Sequence, residues 1–450
     1  MYFKTNCFKH QYECFTAVKD LQFHALLLEP GLGKTKITLD VITYRKINNP
    51  NYKTLVVCPN TLVENWRDET LKHSFLKPVP LMGASARKIP AVYTDGDVYI
   101  TNYEATRTDL KMHLLKKKFD LIVLDESTAV KNPSSQQSIA CFELSRHIKD
   151  KLILTGTPIM NNPLDIYGQY RILNTDIYGR NFYWFKNRYA VMGGYLDKQV
   201  VRWVNMVEFR EKLHSCATQL TKDECLDLPE KLYQVIRLEM PDEQKKVYKD
   251  LKTGFIAEYR DEIITAPVVL TRLMRFSQIT AGFCKTTEGE EYAFSKNPKI
   301  DWLVDFVQNL AFNRKVVAFC RFTYEIKMVE KALREAGIQF VTVQGGVKNR
   351  IDLVNRFNDD SSVRVFVGQL QTSGMGITLT GANYAVFMSN SYSYGERVQA
   401  EDRIHRIGQD KNCTYIDLLI KGSIDSSIHN TLERKESLST LATKKLIGMV

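Results

Sequence analysis

The chain has 450 residues, of which 44% are hydrophobic and 25% charged, and its formal net charge is +11. This length suits two large domains, and the composition is that of proteins with ordinary buried cores. No apolar run approaches the roughly 18 residues that cross a bilayer, so we predict no membrane partner. The excess of lysine and arginine favours nucleic acid as partner. The nine scattered cysteines predict free thiols, and thus a cytoplasmic (prokaryotic or viral) or nuclear protein.

Short apolar runs recur through the first part of the chain, with polar helical stretches between them. Such runs predict strands that are buried on both faces of a parallel sheet and joined by crossover helices. The five predicted strands read ALLLE, TLVVCP, VYITN, DLIVLDE and KLILTGTP. The following residues, 161 to about 225, are rich in aromatic side chains without a clear strand series, and we predict a helical insertion there.

A second α/β region follows a joint at Pro229, which interrupts the helical pattern. Its predicted strands read KVVAFCRF, FVTVQGG, VRVFVGQ, YAVFMSN and CTYIDLLI. We therefore predict an α/β protein of two domains, residues 1–227 and 228–450. The second domain would carry a helical insertion at about 232–295 and a C-terminal helix at about 430–450.

The stretch EPGLGKT, Glu29 to Thr35, joins the first predicted strand to a helix. Glycines at such a junction let backbone N–H groups turn towards phosphate, and the helix N-terminus adds a favourable dipole. Lys34 would reach the β- and γ-phosphates of a nucleotide, and the Thr35 hydroxyl would bind Mg²⁺. The full pattern has a further glycine where this chain has Leu28. The strand before the motif and the helix after it nevertheless favour phosphate binding.

Two adjacent carboxylates, Asp125 and Glu126, end the predicted strand DLIVLDE. Because side chains alternate along a strand, one carboxylate would hold Mg²⁺ through water while the other orients the attacking water. A solvated turn is the alternative when such a pair stands alone. The run LTGTP, Leu154 to Pro158, ends the next strand, and we expect it to sense the phosphate site.

The run QAEDRIHRIGQ places Arg403 and Arg406 three residues apart, which predicts that they share one face of a helix. Arginines in this position commonly pair with neighbouring carboxylates, here Glu401 and Asp402. If the two domains face each other, both arginines could instead reach the γ-phosphate. They would then act as arginine fingers that stabilise charge in the transition state.

With these motifs in this order, the chain resembles the Snf2 (Swi2/Snf2) group of superfamily 2 helicase-type ATPases over nearly its whole length. GLGKT is similar to the family's motif I, DEST to II and LTGTP to III. LVVCPNTLVENWRDE is similar to motif Ia, ITNYE to Ib, KVVAFCRF to IV, TSGMGITLTGAN to V and QAEDRIHRIGQ to VI. DEAD-box RNA helicases carry a different motif VI, so the resemblance points to double-stranded DNA. The chain departs from the family at Leu28–Pro30, at Ser127–Thr128 and at Ser389–Tyr394.

The resemblance implies two RecA-like lobes with parallel sheets and helical protrusions, and it implies roles for further residues. Gln11 is similar to the family's adenine-reading glutamine upstream of motif I. The other residues implied to contact the nucleotide are Gly31, Gly33, Gly374, Gly376 and Gln399. The residues implied to contact DNA phosphates are Asn60, Thr61, Arg321 and Thr372.

Together these features predict a DNA-dependent ATPase that uses ATP and Mg²⁺ to translocate on double-stranded DNA and to remodel DNA or protein–DNA complexes. We expect a monomer that a protein partner recruits. A helicase or branch-migration enzyme acting on forks, single strands or RNA is the alternative. A nucleotide-gated DNA-binding module with vestigial hydrolysis is a third, but the intact Lys34, Asp125 and Glu126 argue against it.

Overall fold

The structure is a computed structural model. It describes residues 3–156, 158–159, 163–193, 199–226, 228–261, 266–286, 289–345, 347, 349–370 and 377–447. The chain divides into two compact units, the first reaching Asp227 and the second beginning at Leu228. None of the described helices is both long and apolar enough to cross a membrane.

The first unit is built on a parallel sheet of seven strands. These strands are β1 (Phe23–Leu28), β2 (Thr54–Cys58), β3 (Pro78–Pro80), β4 (Val98–Asn102), β5 (Leu121–Asp125), β6 (Asp150–Leu154) and β9 (Ala217–Leu220). Their order across the sheet is β3-β4-β2-β5-β6-β1-β9. The five strands predicted for this region are confirmed as β1, β2, β4, β5 and β6.

Helices cover both faces of this sheet. They are α1 (Lys9–Val18), α2 (Lys34–Asn48), α3 (Val63–His73), α4 (Ser85–Val92), α5 (Leu110–Lys116), α6 (Gln136–Arg146), α7 (Asp165–Leu173), α8 (Thr175–Tyr178), α9 (Phe182–Tyr189), α10 (Met206–His214) and α11 (Lys222–Cys225). Short 3₁₀ helices span Asn60–Leu62, Ala105–Arg107 and Ser127–Val130. Along β2, Leu55 and Val57 point into one apolar core, whereas Val56 and Cys58 point into the other. This alternation explains why the central strands are apolar throughout.

The helical insertion predicted at 161–225 differs from the structure, which places three strands there. An antiparallel pair, β7 (Ala190–Gly193) and β8 (Gln199–Trp203), follows α9. The third strand, β9, pairs in parallel with β1 and forms an edge of the main sheet. Its sequence ATQL is half polar and its side chains are only partly buried, because an edge strand needs no continuous apolar run. The pattern of apolar residues therefore does not predict β9.

The second unit contains a parallel sheet of six strands in the order β10-β17-β16-β13-β15-β14. The strands are β10 (Lys231–Leu238), β13 (Val316–Cys320), β14 (Phe340–Val343), β15 (Val365–Gln369), β16 (Tyr384–Phe387) and β17 (Cys413–Ile420). An antiparallel pair is formed by β11 (Phe283–Lys285) and β12 (Glu291–Ala293). The helices are α12 (Asp242–Asp261), α13 (Ala266–Thr280), α14 (Pro298–Asn309), α15 (Thr323–Glu335), α16 (Arg350–Asp359), α17 (Tyr394–Glu401) and α18 (Ile424–Ile447). The five predicted strands are confirmed as β13 to β17.

The insertion predicted at 232–295 is only partly helical. Its first residues belong to β10, which pairs in parallel with β17 along eight residues and forms an edge of the sheet. The helices α12 and α13 follow, and the β11–β12 pair comes after them. Every side chain of β10 is either partly buried or exposed, so this strand does not need a continuous apolar run. The C-terminal helix predicted at about 430–450 begins earlier, at Ile424.

Candidate functional site

The loop from Glu29 to Gly33 joins β1 to α2. Gly31 and Gly33 have φ angles of +94° and +84°, a left-handed conformation that glycine adopts without steric cost. Lys34 is the first residue of α2, and its ammonium group donates a hydrogen bond to the Leu28 carbonyl oxygen at 2.7 Å. The first N–H groups of a helix have no intrahelical partner. The loop and the helix terminus therefore have the backbone geometry that the predicted phosphate site requires.

Gln11, on α1, lies directly against this loop. A Cβ atom added to Gly33 would overlap the Gln11 amide and lie 3.1 Å from its Cδ. The amide nitrogen donates to the Leu32 carbonyl oxygen at 3.4 Å, and its oxygen accepts from the Phe8 N–H at 3.1 Å. The structure thus brings together Gln11 and the phosphate loop, although they are separated by about 20 residues of sequence.

The two adjacent carboxylates lie at the end of β5, two strands from β1 in the sheet. Asp125 is buried and accepts hydrogen bonds from the Trp66 indole N–H at 2.8 Å and the Glu126 N–H at 3.0 Å. Burial raises the pKa of Asp125, while the Trp66 hydrogen bond and the nearby Lys34 charge oppose this shift. The Tyr103 hydroxyl donates to the Asp125 carbonyl oxygen at 2.8 Å. The sequence does not predict the contacts of Trp66 and Tyr103 with Asp125, since nothing in their spacing relates them to β5.

Glu126 has a left-handed backbone conformation, with φ of +50° and ψ of +54°. Such a conformation costs free energy in a residue with a Cβ atom, and it is found most often where the surrounding structure enforces it at a functional site. The turn separates the partly exposed Glu126 side chain from the buried Asp125. The alternation predicted for these two carboxylates is therefore produced by a backbone turn after the strand.

A buried glutamine links motif II to motif III. Gln169, on α7, accepts a hydrogen bond from the Ser127 hydroxyl at 2.7 Å and donates to the Pro158 carbonyl oxygen at 2.8 Å. Motif III in turn touches the phosphate loop, because a Cβ atom on Gly156 would lie 2.7 Å from Pro30 Cδ. Ser127 stands where this chain departs from the family pattern, and the sequence gives no signal that pairs it with Gln169. Thr157 lies outside the described residues.

The close approach of α7 to the Ser127–Val130 helix requires glycine at position 168. A Cβ atom there would overlap the Val130 carbonyl oxygen and lie 2.7 Å from the Lys131 carbonyl oxygen. We expect Gly168→Ala to lower the free energy of unfolding by about 2–3 kcal/mol, because backbone atoms cannot move aside cheaply. The matched control is Gly254→Ala in α12, where no described atom lies within 4 Å of the added methyl group. That change should raise the free energy of unfolding by about 0.5–1 kcal/mol, and equal effects in thermal unfolding would contradict the packing argument.

The residues predicted to hold Mg²⁺ offer suitable donor atoms. Thr35 follows Lys34 in the first turn of α2 and is partly buried. The Lys34 charge acts on Asp125, which places the end of β5 close to this turn. A hydroxyl and a carboxylate are the hard oxygen ligands that Mg²⁺ prefers, usually beside water and phosphate oxygens. Residues Thr35 and Asp125 therefore fit a magnesium–nucleotide complex.

The motif VI arginines lie in the second unit and differ from the prediction in one respect. The helix α17 ends at Glu401, so Arg403 and Arg406 lie in the turn after it and do not share a helix face. The Arg403 carbonyl oxygen accepts a hydrogen bond from the Leu379 N–H at 2.8 Å. The Arg403 N–H donates to the Ala400 carbonyl oxygen at 3.2 Å, a three-residue turn bond in place of the α-helical one. Both arginine side chains are partly buried.

A buried charge network anchors α17, which also carries the partly buried Gln399. The Arg397 guanidinium donates to both carboxylate oxygens of Asp417, at 2.6 and 3.0 Å, and to Glu401 at 2.7 Å. Its guanidinium carbon also lies 3.5 Å from the ring centroid of Phe387. The buried arginine of this segment is thus Arg397, which holds the helix in place.

The turn that carries the motif VI arginines is also tied to the start of the second unit. A ring nitrogen of His405 lies 2.7 Å from the Pro229 carbonyl oxygen. Lys231, two residues further on, forms an ion pair with Glu401 at 3.3 Å. A movement of the residues around Pro229 would therefore also displace the turn that carries Arg403 and Arg406.

The residues predicted to contact DNA have different surroundings. Asn60 and Thr61 are exposed in a 3₁₀ helix after β2, and Asn60 accepts a hydrogen bond from the Asn102 amide at 2.6 Å. Arg321 is partly buried and donates to the Ser277 hydroxyl at 3.3 Å, so it is less open to a phosphate than predicted. The predicted residues Thr372, Gly374 and Gly376 lie outside the described residues.

Comparisons with known proteins identify the family. The SNF2-related domain family matches residues 15–286, and the helicase conserved C-terminal domain matches residues 298–408. The chain is 25% identical to the TATA-binding protein-associated factor MOT1 of Saccharomyces cerevisiae, over 95% of this chain and 27% of that protein. It is also 25% identical to the DNA excision repair protein ERCC-6 of Mus musculus, over 92% of this chain and 31% of that protein. The chain therefore spans less than a third of the length of these two relatives.

Among solved structures, the SWI2/SNF2 ATPase core of Sulfolobus solfataricus in complex with dsDNA is 24% identical and has a TM-score of 0.49. The alignment covers 99% of this chain and 97% of that one. The SNF2-related match spans more than half of the chain, and the two parallel sheets are those of RecA-like lobes. The chain belongs to the SNF2-related domain family.

Proposed function

We propose that this protein is a DNA-stimulated ATPase that translocates on double-stranded DNA and remodels DNA or protein–DNA complexes. The observation that carries the proposal is the assembly of motifs I, II and III in the first unit. Lys34 acts on Asp125, Gly156 packs on Pro30, and Ser127 is joined to Pro158 through Gln169. A site whose parts contact one another in this way can pass the state of the nucleotide on to the rest of the unit.

Within this site we assign one role to each charged group. Lys34 and the α2 N-terminus hold the nucleotide phosphates, and Thr35 and Asp125 hold Mg²⁺. Bound Mg²⁺ would neutralise charge on the phosphates. Glu126, on its left-handed turn, orients the attacking water. Because its side chain is partly exposed, it can reach a water molecule in an open site.

In the second unit, Arg403 and Arg406 are proposed to stabilise the charge that develops on the transferred phosphoryl group. The turn that carries them is fixed by the His405–Pro229 contact and by the anchored helix α17. We propose that ATP brings the two lobes, residues 1–227 and 228–450, together and that hydrolysis separates them. Alternating grips of the two lobes on DNA phosphates would then move the protein along the duplex.

Three observations support DNA as the partner. The chain has a formal net charge of +11, the family is one of helicase-type ATPases, and one relative is named a DNA excision repair protein. The exposed Asn60 and Thr61 remain proposed DNA contacts, and recruitment by a protein partner remains part of the proposal. The motif VI sequence resembles that of duplex translocases, which favours double-stranded DNA over RNA.

The decisive experiment is steady-state ATP hydrolysis without nucleic acid and with duplex DNA, single-stranded DNA or RNA. We expect duplex DNA to give the largest stimulation. We also expect the affinity for DNA to fall steeply with salt, because phosphate contacts release counterions. Stimulation mainly by single strands or RNA would favour a helicase instead. Absence of turnover under every condition would favour a nucleotide-gated binding module.

A further inference from the structure

The first unit contains a cavity of about 600 Å³ at the edge of the sheet where β1 and β6 begin. Gln22 and Phe23 line it from the start of β1, and Lys149 and Lys151 line it from the start of β6. The phosphate loop follows the other end of β1, about 20 Å away at 3.3 Å per strand residue. The cavity is therefore separate from the nucleotide site.

The cavity is lined by an unusual set of charges. Five cationic side chains face it, and none of the described lining residues is acidic; the cations are Arg146, Lys149, Lys151, Arg171 and Arg180. Arg180 forms an ion pair with Asp176 at 3.8 Å, but both side chains are largely exposed, so this pair screens little of the charge. Within the described part of the chain, Arg146, Lys149 and Lys151 have no carboxylate within 4 Å.

Two of these cations are partly removed from water. Burial lowers the pKa of Lys151 and that of Arg171. Arg171 is also held in place: its Nη2 donates to the Pro133 carbonyl oxygen and to the Ser138 hydroxyl, both at 3.2 Å. Its guanidinium carbon lies 4.5 Å from the ring centroid of Phe142, and its buried Nε has no hydrogen-bond partner among the described residues. Partly desolvated cations without counter-charges cost free energy, and an anion in the cavity would offset that cost.

We propose that this cavity, the β1–β6 pocket, binds an anion that carries several phosphate groups. Its volume lies within the range of small-ligand sites, so it can hold more than one phosphate. Arginine forks match phosphate oxygens geometrically, and lysine ammonium groups add point charges. The phosphates could belong to a free oligophosphate or to the backbone of a nucleic acid. This inference does not depend on ATP hydrolysis or on translocation.

The test uses the full-length chain with Lys34→Ala in every sample, which weakens phosphate binding at the nucleotide loop. The pocket variant combines Arg146→Gln, Lys149→Gln and Lys151→Met. The matched control removes three cations elsewhere in the first unit, Lys9→Gln, Lys72→Gln and Arg87→Gln, whose side chains are exposed. Inorganic tripolyphosphate is titrated by calorimetry. Random-sequence duplex DNA is titrated by fluorescence anisotropy at several salt concentrations.

If the occupant is a free oligophosphate, tripolyphosphate affinity should fall at least about 10-fold in the pocket variant and stay unchanged in the control, since several charge-assisted hydrogen bonds are lost. If the occupant is a nucleic acid backbone, only DNA affinity should fall, and its logarithmic salt slope should decrease by up to about 3. Equal binding of both probes by the pocket and control variants would overturn the proposal. Should the triple variant fail to fold in thermal unfolding, the exposed pair Arg146→Gln and Lys149→Gln repeats the comparison.

Discussion

Lys34→Ala should abolish ATP turnover while leaving the first unit folded. The Lys34 ammonium lies at the start of α2 and donates a hydrogen bond to the Leu28 carbonyl oxygen. It can exchange this bond for hydrogen bonds to nucleotide phosphates. Its loss removes a positive charge from the proposed phosphate site. We expect a decrease in turnover of about 10³-fold or more, by analogy with the removal of other preorganised electrostatic groups. The decrease in turnover is measured as the rate of phosphate release at saturating duplex DNA.

The matched control for this prediction is Lys46→Ala, at the opposite end of the same helix. Lys46 forms an ion pair with Asp97 at 2.8 Å, and it lies about 18 Å from Lys34 at 1.5 Å per helical residue. The control should retain turnover and should lose no more than about 1 kcal/mol of stability. The thermal unfolding curves of both variants should stay close to that of the unmodified chain. Turnover retained in Lys34→Ala would remove this lysine from the phosphate site.

Arg406→Ala should lower turnover by about 10³-fold or more if Arg406 stabilises the transferred phosphoryl group. The affinity for ATP should change little, because a finger of this kind acts in the transition state more than in the ground state. Arg406→Lys should recover only part of the rate, since lysine keeps the charge but lacks the planar fork. Single-turnover hydrolysis and nucleotide titration together separate the rate from the affinity.

The matched control here is Arg356→Ala in α16, an arginine of the second unit that is more than half exposed and forms an ion pair with Asp360 at 3.8 Å. This substitution should leave both rate and affinity unchanged. If Arg406→Ala weakens ATP binding and leaves the rate of the bound complex intact, Arg406 is a ground-state binding residue. Arg397 is unsuitable for this comparison, because its loss would leave the buried carboxylates of Asp417 and Glu401 without their partner.

The central strands and the phosphate loop could be predicted because their causes are local. β2, β4 and β5 are buried along their whole length, so each is mainly apolar and carries polar residues only at its ends. The edge strands β9 and β10 could not be predicted from apolar runs. Their side chains are partly buried or exposed, so both strands carry polar residues. The sequence also does not predict the end of α17 at Glu401, because no helix-breaking residue lies between Glu401 and Arg406.

The sequence by itself determined which chemical groups the candidate site contains: a lysine after two glycines, two carboxylates at a strand end and two arginines in motif VI. These depend on backbone conformation and side-chain type, which neighbouring residues set. Tertiary structure alone decided which side chains meet: Trp66 on Asp125, Gln169 between Ser127 and Pro158, and the cations of the β1–β6 pocket around one cavity. The three hydrogen bonds among these contacts join residues that are 11 to 59 positions apart in the sequence. Only the packing of helices on the sheet brings them within hydrogen-bond distance, and no periodicity in the sequence encodes that packing.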